Sequence, residues 1–258
     1  MSKISAVIIA FNEEEHIGKC LASLSGIVDE IIVVDSFSTD STKEICNKFN
    51  VKFIEHPFEG YVEQKNYALS FARNEYVLSL DADEELSEEL KESILKIKDK
   101  PEYDGYKFNR LTNYCGKWIK HSGWYPDRHL RLFNRSKGKW AGINPHDTFM
   151  LDPGNSVKQL KGDLYHWYCL SFEEHIDKIN RFSTIMAGEY FKKGKKGGLF
   201  TAVLHSWWRF IRTYIWRAGF LDGYIGYAAC SISAYSSFLK YLKLRKMYAD
   251  AKKNKSGK

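Results

Sequence analysis

Cysteine is scarce: five residues in 258, at positions 20, 46, 115, 169 and 230. They are odd in number, widely spaced, and form no Cys-x-x-Cys pair. That argues against a disulfide framework or a zinc site, and for a reducing compartment. No Gly-x-Gly-x-x-Gly fingerprint and no Gly-Lys-Ser/Thr loop is present, which argues against a dinucleotide oxidoreductase and leaves any phosphate to be neutralised by side chains and metal. The start, Met1-Ser2-Lys3-Ile4, runs straight into an apolar strand, so no signal peptide is expected. The longest stretch poor in charge, residues 219–239, contains Asp222, three glycines and four serines. It is too polar for a membrane span of about 20 apolar residues. Acids are nearly missing from one end. Residues 192–258 hold 15 basic and 2 acidic residues, against 24 basic and 30 acidic in residues 1–191. An acidic body with a basic end suggests that the end meets a polyanion, either anionic lipid or nucleic acid. Without a recognisable nucleic-acid module, lipid ranks first and no nucleic-acid partner is expected.

What is present supports a substantial core. Hydrophobic residues make up 44% and aromatics 15% of the chain, enough for one large domain with an appendage. Residues 4–11 form an apolar run. Asn12 reads as a helix N-cap, followed by three glutamates and then Ile17, Cys20, Leu21 and Leu24 at helical spacing, with Gly26 as the stop. A second strand covers residues 30–34 and stops at Asp35. Ser41 and Glu44 form a capping-box pattern, residues 51–54 a third strand, and residues 61–73 a helix. Residues 76–80, Tyr-Val-Leu-Ser-Leu, are a fourth buried strand, and a helix follows over residues 87–97. Strand–helix alternation at this spacing predicts an α/β, Rossmann-like, mostly parallel sheet with helices on both faces.

Ligands of such sheets bind beyond the carboxyl ends of the strands. Three ends carry polar groups there: Asn12 and Glu13, then Asp35, then Asp81 and Asp83. Asp81 and Asp83 are two residues apart, so in extended geometry they point the same way. Two hard oxygen ligands suit Mg²⁺ or Mn²⁺, which carboxylates hold together with substrate phosphates. Taken alone, Asp-x-Asp reads equally as a solvated acidic turn, and Asp35 as a turn cap. Their convergence favours a nucleotide and metal site, with Lys65 available to phosphate.

Residues 105–150 change character, to short alternating runs that predict strands and hairpins. Gly123-Trp124-Tyr125-Pro126-Asp127-Arg128 is a loop whose rings could stack on sugars and whose charges could bind hydroxyls, or simply cover a hydrophobic patch. Asn144-Pro145-His146-Asp147 and Leu164-Tyr165-His166-Trp167 each place a histidine where a turn or a core residue is the commoner reading. Residues 192–198 are a basic, glycine-rich linker. Phe200, Val203, Trp207, Ile211 and Tyr214 then recur at helical spacing among Arg209, Arg212 and Arg217, and residues 240–258 form a basic tail. Such an element lies in a membrane interface or packs as an ordinary helical hairpin.

As an ordered set, these residues carry a likeness. Ala10-Phe11-Asn12-Glu13-Glu14, Val34 to Asp40, Gln64-Lys65-Asn66, Asp81-Ala82-Asp83, Arg131-Leu132-Phe133, His146-Asp147, His166 with Glu173 and Glu174, and Gly219-Phe220-Leu221-Asp222-Gly223 resemble family-2 glycosyltransferases of the GT-A fold. The chain is most similar to the bacterial lipopolysaccharide-core β-1,4-glucosyltransferase group. The resemblance implies a UDP-sugar donor, a divalent metal (Mg²⁺ or Mn²⁺) and inverting transfer, with glucose the expected sugar and a membrane-linked glycan or glycolipid the acceptor. It implies a nucleotide-sugar-binding half over 1–100, an acceptor-binding half over 101–191, and a helical, basic, membrane-associating extension over 192–258. Ala10, Phe11, Asn12, Glu13, Asp35, Lys65, Asp81 and Ala82 fall on the nucleotide-sugar site, and Asp81, Asp83 and His166 on the metal. Asp147 falls on the catalytic base, where close relatives have the longer Glu. Trp124, Tyr125, Asp127, Arg128 and Arg131 fall on the acceptor side. The expected location is cytoplasmic, peripheral to the inner face of the cell membrane. Capsule, exopolysaccharide or another acceptor is the alternative, and a degenerate, non-catalytic membrane scaffold ranks last.

Overall fold

A computed structural model of the chain describes residues 2–143 and 146–256. Asn144, Pro145 and the His146 side chain, part of the motif noted above, lie outside the described residues. The chain divides into two compact units, residues 1–111 with 126–167 and residues 112–125 with 168–258.

In the first unit β1 (Ile4–Ala10), β2 (Glu30–Asp35), β3 (Lys52–Glu55) and β4 (Tyr76–Asp81) alternate with α1 (Ile17–Ser23), α2 (Thr42–Cys46) and α3 (Tyr61–Ser70). They pair in parallel in the order β3-β2-β1-β4. Side chains alternate across a strand, so an all-apolar strand must be covered twice. Ile4, Ala6, Ile8 and Ala10 of β1 pack into one core with Ile17 and Leu21 of α1. Val7 packs into another with Ala68 and Leu69 of α3. Helices therefore cover both faces, as the alternation predicts.

The chain then passes through β5 (Glu84–Leu86), α4 (Glu88–Lys98), β6 (Gly105–Tyr114), β7 (Lys117–Ile119), β8 (Asp127–Asn134), β9 (Gly138–Ile143), β10 (His146–Leu151) and β11 (Val157–Cys169). Ser87 caps α4, its hydroxyl accepting from the Leu90 amide. The sheet continues past β4 as β8-β6-β11-β5, and the β4–β8, β8–β6 and β11–β5 pairs are antiparallel. β9 and β10 form a separate hairpin. Phe149 of β10 stacks on Phe133 of β8, with ring centroids 3.5 Å apart, and Trp140 of β9 meets both edge-on.

Two local expectations change. Asn12 does not cap α1, which begins five residues later after His16. Asn12 sits at φ 54°, a left-handed conformation Asn tolerates better than most residues, and its Oδ1 accepts from the Thr39 amide at 2.8 Å. Ser41 does not cap α2 through its side chain; Asp40 Oδ1 accepts from the Thr42 amide at 3.0 Å instead.

The second unit is mainly helical: α5 (Phe172–Lys192), α6 (Leu199–Phe210), a π-helical segment (Ile211–Trp216), a 3₁₀ turn (Gly219–Asp222) and α7 (Gly223–Ser256). The basic tail continues α7 as helix through Ser256. Gly219 and Gly226 permit the close approach that starts α7, since a Cβ on Gly226 would lie 2.1 Å from the Gly219 carbonyl. Asp222 accepts from the amide of His121 at 2.9 Å and pairs with its Nδ1 at 3.0 Å, while its own carbonyl takes Lys117 Nζ. These contacts give the Gly219–Gly223 motif a structural role.

Tyr114, Trp124, Tyr168 and His175 pack together here. Tyr114 Oη lies 2.8 Å from His175 Nδ1. Burial, reinforced by Lys178, pushes His175 down from 6.5 to about 4. Between those values the unfolded chain holds a proton that the folded chain does not. Stability therefore rises with pH through that window, and below about 4 this group's contribution no longer changes. The expected loss from this group is about 2 kcal/mol at pH 5 relative to pH 7. Urea unfolding at both pH values checks this: His175→Gln should flatten the pH dependence by that amount, and an unchanged dependence contradicts it.

Candidate functional site

The site grows from the end of β4. Asp81 is the last residue of the strand, and its backbone amide donates to Glu84 Oε2 at 3.0 Å. Glu84 is fully buried at the start of β5. Such a carboxylate needs a cation, and Arg131 on β8 supplies it, with Nη2 2.5 Å from Glu84 Oε1. The same nitrogen is 2.7 Å from Asp81 Oδ2. Asp81 Oδ1 lies 2.8 Å from Lys65 Nζ. Burial alone would raise the Asp81 pKa, but Arg131 and Lys65 together hold it well below the usual carboxylate range.

Lys65 also reaches Asp147 Oδ2 on β10 at 2.7 Å, and its ammonium lies 4.6 Å from the centroid of the Trp140 ring. One cation thus joins the Asp-x-Asp turn to the carboxylate flagged as a base. Asp147 Oδ1 has no hydrogen-bond partner among the described residues. The neighbours of Lys65 explain the motif. Gln64 donates to Ser36 Oγ at 3.1 Å and pairs with His56 at 3.0 Å. Asn66 bonds both the carbonyl and the amide of Trp140, at 3.0 and 3.1 Å. Three consecutive residues of α3 point about 100° apart in turn and so tie together the β2 loop, the Asp-x-Asp turn and the β9–β10 hairpin.

Asp83 lies in the turn itself. Its carbonyl accepts from the Trp167 amide at 2.9 Å, and its Oδ2 is 3.4 Å from His166 Nε2 on β11. The described residues contain no group of three or more His, Cys, Asp and Glu placed to hold an ion. A carboxylate oxygen and an imidazole nitrogen nevertheless make a donor pair that a diphosphate can complete around Mg²⁺ or Mn²⁺. Asp83 and His166 fit that group better than Asp81, whose two oxygens already face two cations. Ala82 between them is buried.

At the ends of β1 and β2 two loops interlock. Asn12 N donates to Ser38 Oγ and Glu13 N to Thr42 Oγ1, both at 2.8 Å. Ser41 N donates to Glu14 Oε2 at 2.9 Å. Asp35 is buried, and both its oxygens accept from Ser38, at 2.7 Å from the amide and 2.5 Å from the hydroxyl. Its contacts are therefore those of a turn cap. Ala10 is buried behind it, while Phe11 and Phe37 are 54% and 52% exposed. Phe37, at φ 61°, carries a signal that sequence reading passes over, because only the folded loop shows its ring turned to solvent beside the strand ends.

The residues expected on the acceptor side separate. Asp127 is held by Arg110, 2.7 Å from Nη2, and by His129 at 2.8 Å. Arg128 is exposed on the same strand. Trp124 and Tyr125 belong to the second unit, where Trp124 packs against its aromatic cluster. Arg131 is 3% exposed and faces Asp81 and Glu84. Glu84 itself had no sequence signal, since an acid after Asp-x-Asp reads as one more exposed charge.

Comparison with known proteins identifies a family. Residues 5–153 match the family model described as Glycosyl transferase family 2. An uncharacterised glycosyltransferase of Rickettsia typhi is 34% identical over 257 residues, covering 96% of this chain and 88% of its own. The lipopolysaccharide core biosynthesis glycosyltransferase LpsC of Rhizobium meliloti is 31% identical, covering 86% and 85%. Among solved structures, S. aureus TarS 1–349 in complex with UDP-GlcNAc superposes with a TM-score of 0.50 at 17% identity, covering 93% of this chain and 92% of that one.

Proposed function

Because the chain belongs to glycosyl transferase family 2, we propose that it transfers a hexose, with inversion, from a UDP-sugar to a membrane-linked glycan of the lipopolysaccharide-core type. The observation that carries this reading is the shared cation: Lys65 holds Asp81 and Asp147 at 2.8 and 2.7 Å. A nucleoside diphosphate at the end of β4 would compete for Lys65. Asp147 would then be free to accept a proton. The core acceptor rests on the likeness to LpsC, and glucose on the resemblance noted from the sequence.

The chemistry runs in one displacement. Asp147 takes the proton of an acceptor hydroxyl, whose oxygen forms a bond to the anomeric carbon. The bond from that carbon to the diphosphate oxygen breaks, and its electron pair leaves on the diphosphate. A single base suffices, unlike the paired carboxylates of a glycosidase. Asp83 and His166 would hold a divalent ion, which when bound neutralises charge growing on the leaving group. Phe11 and Phe37 offer rings for the base, and Asn12, Glu13 and Asp35 shape the loops around the ribose. Arg131 braces the turn through Asp81 and Glu84. Asp127 and Arg128 remain the candidates for acceptor hydroxyls in the first unit.

Thermal shift over a panel of UDP-sugars, with and without Mn²⁺, tests donor and metal together. At about 100 times Kd a ligand adds roughly 3 kcal/mol of stability. The expected result is a shift with UDP-glucose and metal that EDTA, Asp83→Ala or His166→Ala removes. Transfer that survives both EDTA and Asp83→Ala would discard the metal role.

The acceptor also implies a membrane surface as partner. The charge of residues 192–258 supports it, and no described helix is long and apolar enough to cross a bilayer.

A further inference from the structure

α6 is amphipathic in the wrong sense for an ordinary surface helix. Its inward side is small and polar: Ala202 is fully buried, and Ser206 Oγ donates to the Ala234 carbonyl of α7 at 2.8 Å. Its outward side is large and apolar: Phe200, Leu204, Trp207 and Trp208 are 78%, 50%, 60% and 42% exposed. A helix on a soluble core places such residues inward. The inversion means that α6 is built for an apolar medium on its outer side.

The following segment extends that face. A π-helical register over Ile211–Trp216 turns more residues per winding than an α-helix, a form that recurs at functional sites. It brings Trp216, 67% exposed, edge-on to Trp208 with centroids 4.8 Å apart. Leu204, Trp207 and Trp208 also line an open cleft of about 270 Å³.

Charge identifies the occupant. Residues 199–221 contain no Asp or Glu. Arg209, Arg212 and Arg217 are all exposed there. Exposed indole rings interleaved in sequence with exposed arginines match the boundary between acyl chains and anionic headgroups. The tail lysines are less available: Lys243 is bound by Asn180, Ser183 and Thr184 of α5, and Lys246 pairs with Asp250.

We propose that the face formed by α6 and the π-helical segment is the membrane-docking surface of this protein, with Trp207, Trp208 and Trp216 inserted among the lipids and Arg209, Arg212 and Arg217 on anionic headgroups. The inference rests on the membrane-surface reading above and replaces the tail as its principal contact.

Vesicle flotation of the full chain tests it, using phosphatidylcholine alone and phosphatidylcholine with phosphatidylglycerol. Folding of each variant is checked by circular dichroism. W207S/W208S/W216S should bind both vesicle types at least about 100-fold more weakly, from the lost burial of three rings. R209Q/R212Q/R217Q should bind anionic vesicles roughly 100-fold more weakly, at about fivefold per arginine, and lose its salt dependence. K252Q/K253Q should bind within about twofold of the unmodified chain. Brominated lipid should quench the unmodified chain and leave W207F/W208F/W216F largely unquenched. If the unmodified chain binds no vesicle, the membrane reading and this face fall together. If it binds but the tryptophan and arginine variants bind equally well, only this face is overturned. A chain that is dimeric by light scattering, and made monomeric by the tryptophan changes without vesicle binding, assigns the face to a second copy and overturns the proposal.

Discussion

Replacing Asp147 by Asn is expected to lower sugar transfer by about 10²- to 10⁴-fold while leaving UDP-sugar affinity within a few-fold. The substitution keeps the shape of the side chain and removes its ability to take a proton. Asp147 is mostly buried and bonded through Oδ2 to Lys65, so the amide oxygen can still accept from the ammonium. What is lost is the carboxylate charge that the proposed proton transfer needs. A base used only in the transition state costs kcat and leaves binding alone. A merely structural Asp147 would instead show as a lower melting temperature and a weaker donor shift in the same preparation. Asp147→Glu extends the reach by one methylene, toward the Glu that the family resemblance implies, and should retain measurable transfer. If Asp147→Asn transfers sugar within about threefold of the parent chain, the base lies elsewhere.

The sheet was legible from the sequence because its information is local and periodic. Four apolar strands, each stopping at a polar residue, gave the parallel half and the end at which the polar side chains gather. His166 Nε2 lies 3.4 Å from Asp83 Oδ2, whereas Asp81 faces Lys65 and Arg131. Asn12 was misread as a helix cap because Asn also tolerates left-handed backbone, and only the loop opposite, at Thr39, decides between the two. Partnerships between distant strands carried no local signal. Arg131 was grouped with the acceptor residues, yet its guanidinium faces Glu84, whose burial nothing nearby in the chain announces. Trp124 illustrates the same limit, since a ring that could stack on sugar packs against Tyr114 and Tyr168. In α6 the spacing was read correctly, but the side facing solvent could not be, because amphipathic periodicity does not say which face is inward.

Arg131→Met should cost about 3–5 kcal/mol of folding stability, the usual penalty for stripping the partner from a buried charge. Glu84 is fully buried, and Arg131 is 2.5 Å from it and 2.7 Å from Asp81. Methionine fills comparable volume, so the loss is electrostatic rather than a cavity. Both carboxylates would then lean on Lys65 and Arg110, the latter 3.6 Å from Glu84. Adding Glu84→Gln removes one stranded charge and should recover part of the loss. The pH dependence has a defined sign. Asp81 is held well below 3.8 in the folded chain, so in acid the unfolded chain takes up its proton first. The stabilisation is complete above that value and disappears as pH falls below it. Urea unfolding should therefore show a gap between Arg131→Met and the parent chain that is widest near neutrality and closes under acid. An Arg131 that served the acceptor alone would raise the acceptor KM and leave unfolding unchanged. A brace does the reverse at first order: because the turn carrying Asp81 and Asp83 hangs on Glu84, loosening it should weaken the proposed donor binding before any acceptor is present.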